Sequence, residues 1–195
     1  MLQKYVILNL KNLVGMMLFQ NPIVWLKRVR YRKGYGVHSP FAYDFVTGVI
    51  YNKEKYYAYS SLDSSLHWWQ CGREKSLRHL AFRLSNYRCP QTMYCSEGLS
   101  RELVRACHDG SRGVVAVDGV TSGTVDMIFV DCADEKALKC LGEGTMMVVW
   151  NLRENMDYWQ RIKDDGRVTV TFDLYDVGIA FARKDLNKQH YINNW

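Results

Sequence analysis

Two strand-type runs, GVVAVD (113–118) and VDMIFVD (125–131), are separated by only the six residues GVTSGT. No other feature restricts the fold as much. Neighbouring parallel strands are usually joined by roughly a dozen residues or more, most often including a helix. Six residues can form a hairpin or an extended run back along a sheet. They cannot hold a helix and a further strand.

Around this junction, strand and helix patterns alternate, which argues for an α/β layer structure. The expected strands are 91–95, 113–118, 125–131 and 144–150, with helices over 98–108, 133–141 and 153–165. The apolar, β-branched runs lack strict alternation, as parallel strands covered on both faces should. Farther on, the runs 167–173 and 177–183 lie close enough to form an antiparallel hairpin through Leu174–Asp176.

The front of the chain is helical in pattern. Residues 2–19 and 22–33 read as two helices, with Pro22 placed to open the second. Ser39-Pro40 is an N-cap followed by a first-turn proline, and helical spacing of Phe41, Phe45 and Val49 predicts a helix over 40–51. Residues 52–73 read as a connecting loop or partly helical lid. A helix over 74–87 follows, with Leu77, Leu80, Ala81, Leu84 and Tyr87 on one face and Arg78, His79 and Arg83 opposite, in solvent.

Composition excludes several classes. With 195 residues, 48% hydrophobic and 24% charged, the chain is long enough to bury a core without staples. The six cysteines show no C-x-x-C pair and read as reduced, mostly buried thiols of a cytoplasmic protein. Cys89, Cys95, Cys107 and His108 fit no usual zinc spacing. The apolar N-terminus is broken by Lys4, Asn9, Lys11 and Asn12 before it reaches about 18 clean residues, so no transmembrane segment is expected. Much of the net charge of +6 lies in KRVRYRK (Lys27–Lys33), which could meet nucleic acid or an anionic surface. No nucleic-acid-binding motif accompanies it, and it reads first as a helix end whose cations oppose the dipole.

Three segments resemble a known family: RKGYGVHSPFAYDFVTGVIY, VDMIFVD and VTFDLYDVGIAFARKDLNKQHY. They are similar to Rossmann-like (class I) S-adenosylmethionine-dependent methyltransferases, and more closely to methyltransferase-like proteins typical of Bacteroidetes. The resemblance implies a three-layer, mostly parallel sheet closed by a C-terminal antiparallel hairpin. Residues 30–192 carry the resemblance and 1–29 add nothing to it; the chain is expected to divide into an N-terminal helical or lid region over 1–73 and a methyltransferase-like α/β domain over 74–195. Since the interval after Asp118 has no room for the family's third strand, the expected strand order in family terms is 2-1-4-5-7-6.

The same resemblance assigns roles. The loop after the first strand should wrap the methionine part of the cofactor, where glycines let the backbone approach a ligand. Here that loop is TMYCSEGLS: Thr92 stands where an acid is expected, Tyr94 where an early glycine is expected, and Gly98 is retained. Asp118 corresponds to the acid that holds the cofactor ribose. Asp131 closes the family's fourth strand; for an active enzyme the candidate base is Asp131 or, read from its place before the capped helix and not from the resemblance, His38 of the HSPF segment. Metal-dependent relatives carry an acidic or amide pair where this chain has Trp150-Asn151, a poor cage for a hard cation, so no metal is expected.

Together these readings predict a methyltransferase-like protein that binds S-adenosylmethionine weakly or not at all and acts as a pseudoenzyme through a protein partner or a homo-oligomer. Trp25, Tyr31, Tyr35, Trp68 and Trp69 form the candidate contact surface. The alternatives are an active small-molecule methyltransferase, and nucleic-acid or anionic-surface binding through Lys27–Lys33.

Overall fold

The computed structural model describes residues 28, 30–31, 36–67, 72–117 and 124–195. The helices expected over 2–19 and 22–33 therefore lie outside the described residues, apart from Arg28, Arg30 and Tyr31. So do Asp118, Cys71, Trp25, Tyr35, Trp68 and Trp69.

Seven strands form one sheet in the order β2-β1-β3-β4-β6-β5-β7. They are β1 (Thr92–Cys95), β2 (Val115–Ala116), β3 (Met127–Val130), β4 (Met146–Trp150), β5 (Val170–Asp173), β6 (Val177–Phe181) and β7 (Gln189–Ile192). Pairing is parallel from β2 through β4, and β6 enters antiparallel between β4 and β5. This is the expected 2-1-4-5-7-6 arrangement with one strand added at the far edge. The added strand, β7, pairs parallel with β5 and was invisible in the sequence because Gln189, His190 and Tyr191 carry no apolar run.

The short interval after β2 turns out to be a parallel return, not a hairpin. Met93 pairs with Ala116 on one side and with Met127 on the other. Both partners stand at one level of the sheet, so the chain has to cross only about two strand spacings, on the order of 10 Å. β2 is so short that no climb along a full strand is needed.

Side chains alternate to two cores, one on each face, giving three layers. Met93, Phe129, Val148 and Trp150 point to the face covered by α1 (Pro40–Phe45), α3 (Arg73–Arg88) and α4 (Arg101–Gly110). Tyr94, Ile128, Val149 and Ala180 point to the other, covered by α5 (Glu135–Cys140) and α6 (Met156–Asp164). β3, β4 and β6 are buried along their whole length, which is why their sequences show no period of two.

Ser39 caps α1 as expected, accepting from the Ala42 N–H. The helix does not run evenly to 51, however. It widens to a π-helical turn over Val46–Ile50. The segment read as a loop or lid contains a five-residue helix, α2 (Tyr59–Asp63), packed on α3.

The polar face expected on α3 is also corrected. Arg78 is 4% and Arg83 7% exposed. Arg78 donates to the Leu62 carbonyl and Ser65, and Arg83 to the carbonyls of Val49 and Ile50. Their guanidinium groups satisfy backbone left over by the π turn and α2, which offsets the cost of burial. His79 is stacked on the Tyr59 ring at 3.6 Å and hydrogen-bonded to Asp63 at 2.8 Å, and is not a solvated residue. Tyr87, expected on the apolar face, is 44% exposed, and of the thiols expected to be mostly buried, Cys89 and Cys132 are exposed.

Candidate functional site

Where β1, β3 and β4 end, their C-terminal loops and the β5–β6 turn enclose a cleft of about 210 Å³. The loop after β1 supplies Gly98, Leu99 and Ser100; β3 supplies Asp131; β4 supplies Trp150 and Asn151; and the hairpin turn supplies Asp176. Helix α3 closes one side with Arg73, Glu74 and Leu77, and α4 contributes Leu103. Carboxyl ends of parallel strands are where α/β folds generally place ligands.

Asp131 is the centre of this constellation. It accepts a 2.6 Å hydrogen bond from the Ser96 hydroxyl, which ties the end of β3 to the end of β1. Its carboxylate lies directly over Gly98: a Cβ built there would fall 2.3 Å from Oδ2. The absent side chain of Gly98 therefore makes room for a contact within the protein. Asn155, at the start of α6, holds the floor. Its Nδ2 donates to the carbonyls of Asp131 at 2.9 Å and Asn151 at 3.1 Å.

Across the cleft, Arg73 pairs with Asp176 at 3.1 Å and Arg78 with Glu74 at 3.0 Å. Burial pushes the Asp176 carboxyl above its ordinary value, against the attraction of Arg73, Arg153 and Arg28. Two residues beside the cleft hold left-handed backbone without being glycine, Asn151 at φ 51° and Tyr175 at φ 83°. Such conformations persist where the surroundings over-determine them, and they gather at functional sites. Tyr175 is fixed by Arg153 over its ring at 4.4 Å and by Arg28 at 5.2 Å.

Among solved structures, the chain is similar to the SAH-bound methyltransferase PaMTH1 of Podospora anserina, with 10% identity and a TM-score of 0.48 over 75% of this chain and 97% of that one. It is also similar to a methyltransferase from Geobacter sulfurreducens, with 11% identity and a TM-score of 0.39 over 74% and 98% of the two chains. No protein-family model matches the sequence, and no curated protein does. The fold reading rests on the strand order and on the antiparallel β6, which give a Rossmann-like, methyltransferase-like sheet.

The cleft brings together Gly98 and Asp131 of the residues singled out from sequence, along with the Trp150-Asn151 pair. His38 is not among them. Phe41, three residues on, packs on Phe181 at 5.2 Å, and Phe181 pairs with Met146 at the start of β4. That is the opposite end of the sheet from Asp131. Tyr94 points to the other face, where its hydroxyl donates to Asp134 at 2.5 Å. Among the described residues no group of three or more His, Cys, Asp or Glu side chains is placed to hold a metal ion. No helix there is long and apolar enough to cross a membrane.

Sequence reasoning missed Ser96, Arg73, Glu74, Asp176 and Asn155. Ser96 and Asp176 left a faint signal, each being a polar residue at the end of a strand run. Arg73, Glu74 and Asn155 left none, since they reach the cleft only through packing between distant elements.

Proposed function

We propose that this chain is a methyltransferase-like binding protein, a pseudoenzyme that no longer uses S-adenosylmethionine efficiently. The observation that carries the reading is the contact between Gly98 and Asp131. In a working loop, a glycine at this turn leaves space for the methionine part of the cofactor to approach the backbone. In this protein the Asp131 carboxylate takes up that space, 2.3 Å from where a Cβ would stand. The cleft, at about 210 Å³, is also below the ~300–1,000 Å³ typical of small-molecule sites.

Calorimetric titration with S-adenosylmethionine and S-adenosylhomocysteine tests the proposal. The expected result is no binding tighter than millimolar by either ligand. Micromolar binding abolished by Asp118→Ala would overturn it. The competing reading, an active small-molecule methyltransferase, is favoured by one observation: Asp131 lines a cleft at the end of β3, where a base could meet an acceptor. The same titration separates the two. Binding of nucleic acid through Lys27–Lys33 is less well supported, because Arg28 is engaged with Asp173 inside the protein.

A further inference from the structure

Within the basic run, one cation is committed to the protein and another is not. Arg28 pairs with Asp173 at the end of β5. Arg30 is exposed, lies over the Tyr31 ring at 4.8 Å, and has no ion-pair partner among the described residues. The Tyr31 carbonyl accepts from the Asn194 N–H at 3.3 Å. Arg28 and Tyr31 therefore root the segment at the outer edge of the sheet, where β5 and β7 end.

That edge continues the character of the run. Along β7, His190 and Ile192 alternate to one side and are exposed, as is Lys188 just before the strand. Lys163 of α6 faces His190 as well. Among the nearby acids, Asp165 is paired with Arg167, and Asp164 alone opposes the two lysines. The edge is thus cationic, with an apolar side chain, Ile192, standing out of it.

Upstream of the run the sequence is apolar. At helical spacing, Leu2, Val6, Leu10, Leu13 and Met17 share one side, and Lys4, Lys11, Asn12 and Gly15 share the opposite one. The described domain offers that apolar side no matching patch. Both faces of its sheet are covered by its own helices, and its exposed large apolar side chains each lie on a different segment. An apolar stripe beside clustered cations, too interrupted to span, is the pattern of a segment that lies in a membrane interface.

We propose that residues 2–33 attach this protein to the surface of an anionic lipid bilayer. The apolar side of 2–19 enters the headgroup region, and Lys27, Arg30, Arg32 and Lys33 meet the lipid phosphates. Arg28 is reserved for the domain, which it fastens to the segment so that the β7 edge faces the same surface. Flotation of the full chain with vesicles tests this, comparing phosphatidylcholine alone with about three parts phosphatidylcholine to one part phosphatidylglycerol. Binding to the anionic vesicles is expected to be at least about tenfold tighter, and to weaken steeply between about 0.1 and 0.5 M salt. Replacing Lys27, Arg30, Arg32 and Lys33 by Gln, with Arg28 kept, should weaken it by about a hundredfold or more, and Lys188→Gln by about fivefold. Leu10→Glu combined with Leu13→Glu should abolish it.

Equal affinity for the two vesicle types, or no flotation with either, overturns the proposal. Full affinity after the paired leucine substitutions does the same. Tighter binding of a duplex oligonucleotide than of the anionic vesicles, unaffected by those leucines, also overturns it and assigns the run to nucleic acid. The vesicle comparison on the unaltered protein decides the matter even if a variant fails to fold. Binding of S-adenosylmethionine, tight or absent, bears only on the proposed function and leaves this inference where the vesicles put it.

Discussion

Arg28 grips Asp173 with both guanidinium nitrogens, at 2.9–3.0 Å, and the two side chains are only 17% and 19% exposed. A residue from the most basic run of the sequence is thereby fastened to the end of β5, two positions before Tyr175. The bidentate geometry makes this a stronger contact than a surface ion pair. Arg28→Ala is expected to lower stability by about 1.5–3 kcal/mol in urea unfolding. A solvated cation at a helix end would lose no more than about 0.5 kcal/mol.

Gly98→Ala places a methyl group against the Asp131 carboxylate. The backbone φ of Gly98 lies outside the left-handed region, so the carboxylate and not the backbone resists the change. A loss of about 1–3 kcal/mol is expected. In an Asp131→Ala background the same substitution should cost far less, giving a coupling of at least about 1 kcal/mol in a double-mutant cycle. Simple additivity would mean that the close approach is not what the glycine serves.

Asn155 joins the ends of β3 and β4 through one amide group. Asn155→Ala removes the donor and should cost about 1–2 kcal/mol. Asn155→Asp keeps the shape but sets a carboxylate against the carbonyls of Asp131 and Asn151, and should cost more. Hydrogen exchange is expected to quicken around residues 131–132 and 150–152 in both variants. Unchanged exchange there would show that the amide does not hold these loops.

Burial pulls the His79 imidazole below its usual pKa of 6.5, outweighing the opposing pull of Asp63. The ring is then neutral near pH 7, and its Nε2–H donates to the Asp63 carboxylate. The unfolded chain takes up a proton near pH 6.5, and the folded one does so only at lower pH. Stability contributed by this site is thus complete above about pH 6.5 and falls as pH drops through the depressed value. His79→Gln should flatten that part of the pH profile of the urea midpoint. His190, also depressed by burial, makes a separate contribution that remains in the variant.

Most of the sheet could be read from the sequence because its strands are apolar on both faces and bounded by turns. The β5–β6 hairpin was visible for the same reason, since Leu174–Asp176 is too short for anything else. β7 was not, because an edge strand paired on one side needs no apolar run. Arg78 and Arg83 were misplaced because helical spacing treats every guanidinium as solvent-facing. Here the carbonyls that bury them come from Val49, Ile50 and Leu62, segments outside their own helix. The cleft was half legible. Gly98 and Asp131 stand at strand ends, whereas Arg73 and Asn155 owe their positions entirely to packing between layers.

Met93 is flanked at one height by Ala116 and Met127, so the two neighbours of β1 meet there at a seam in the sheet. Cutting out or splicing in a helix–strand–helix segment between those two partners leaves every other rung of the ladder in place. A sheet with such a seam tolerates an inserted lobe at that point, or does without one, and closes its interior either way.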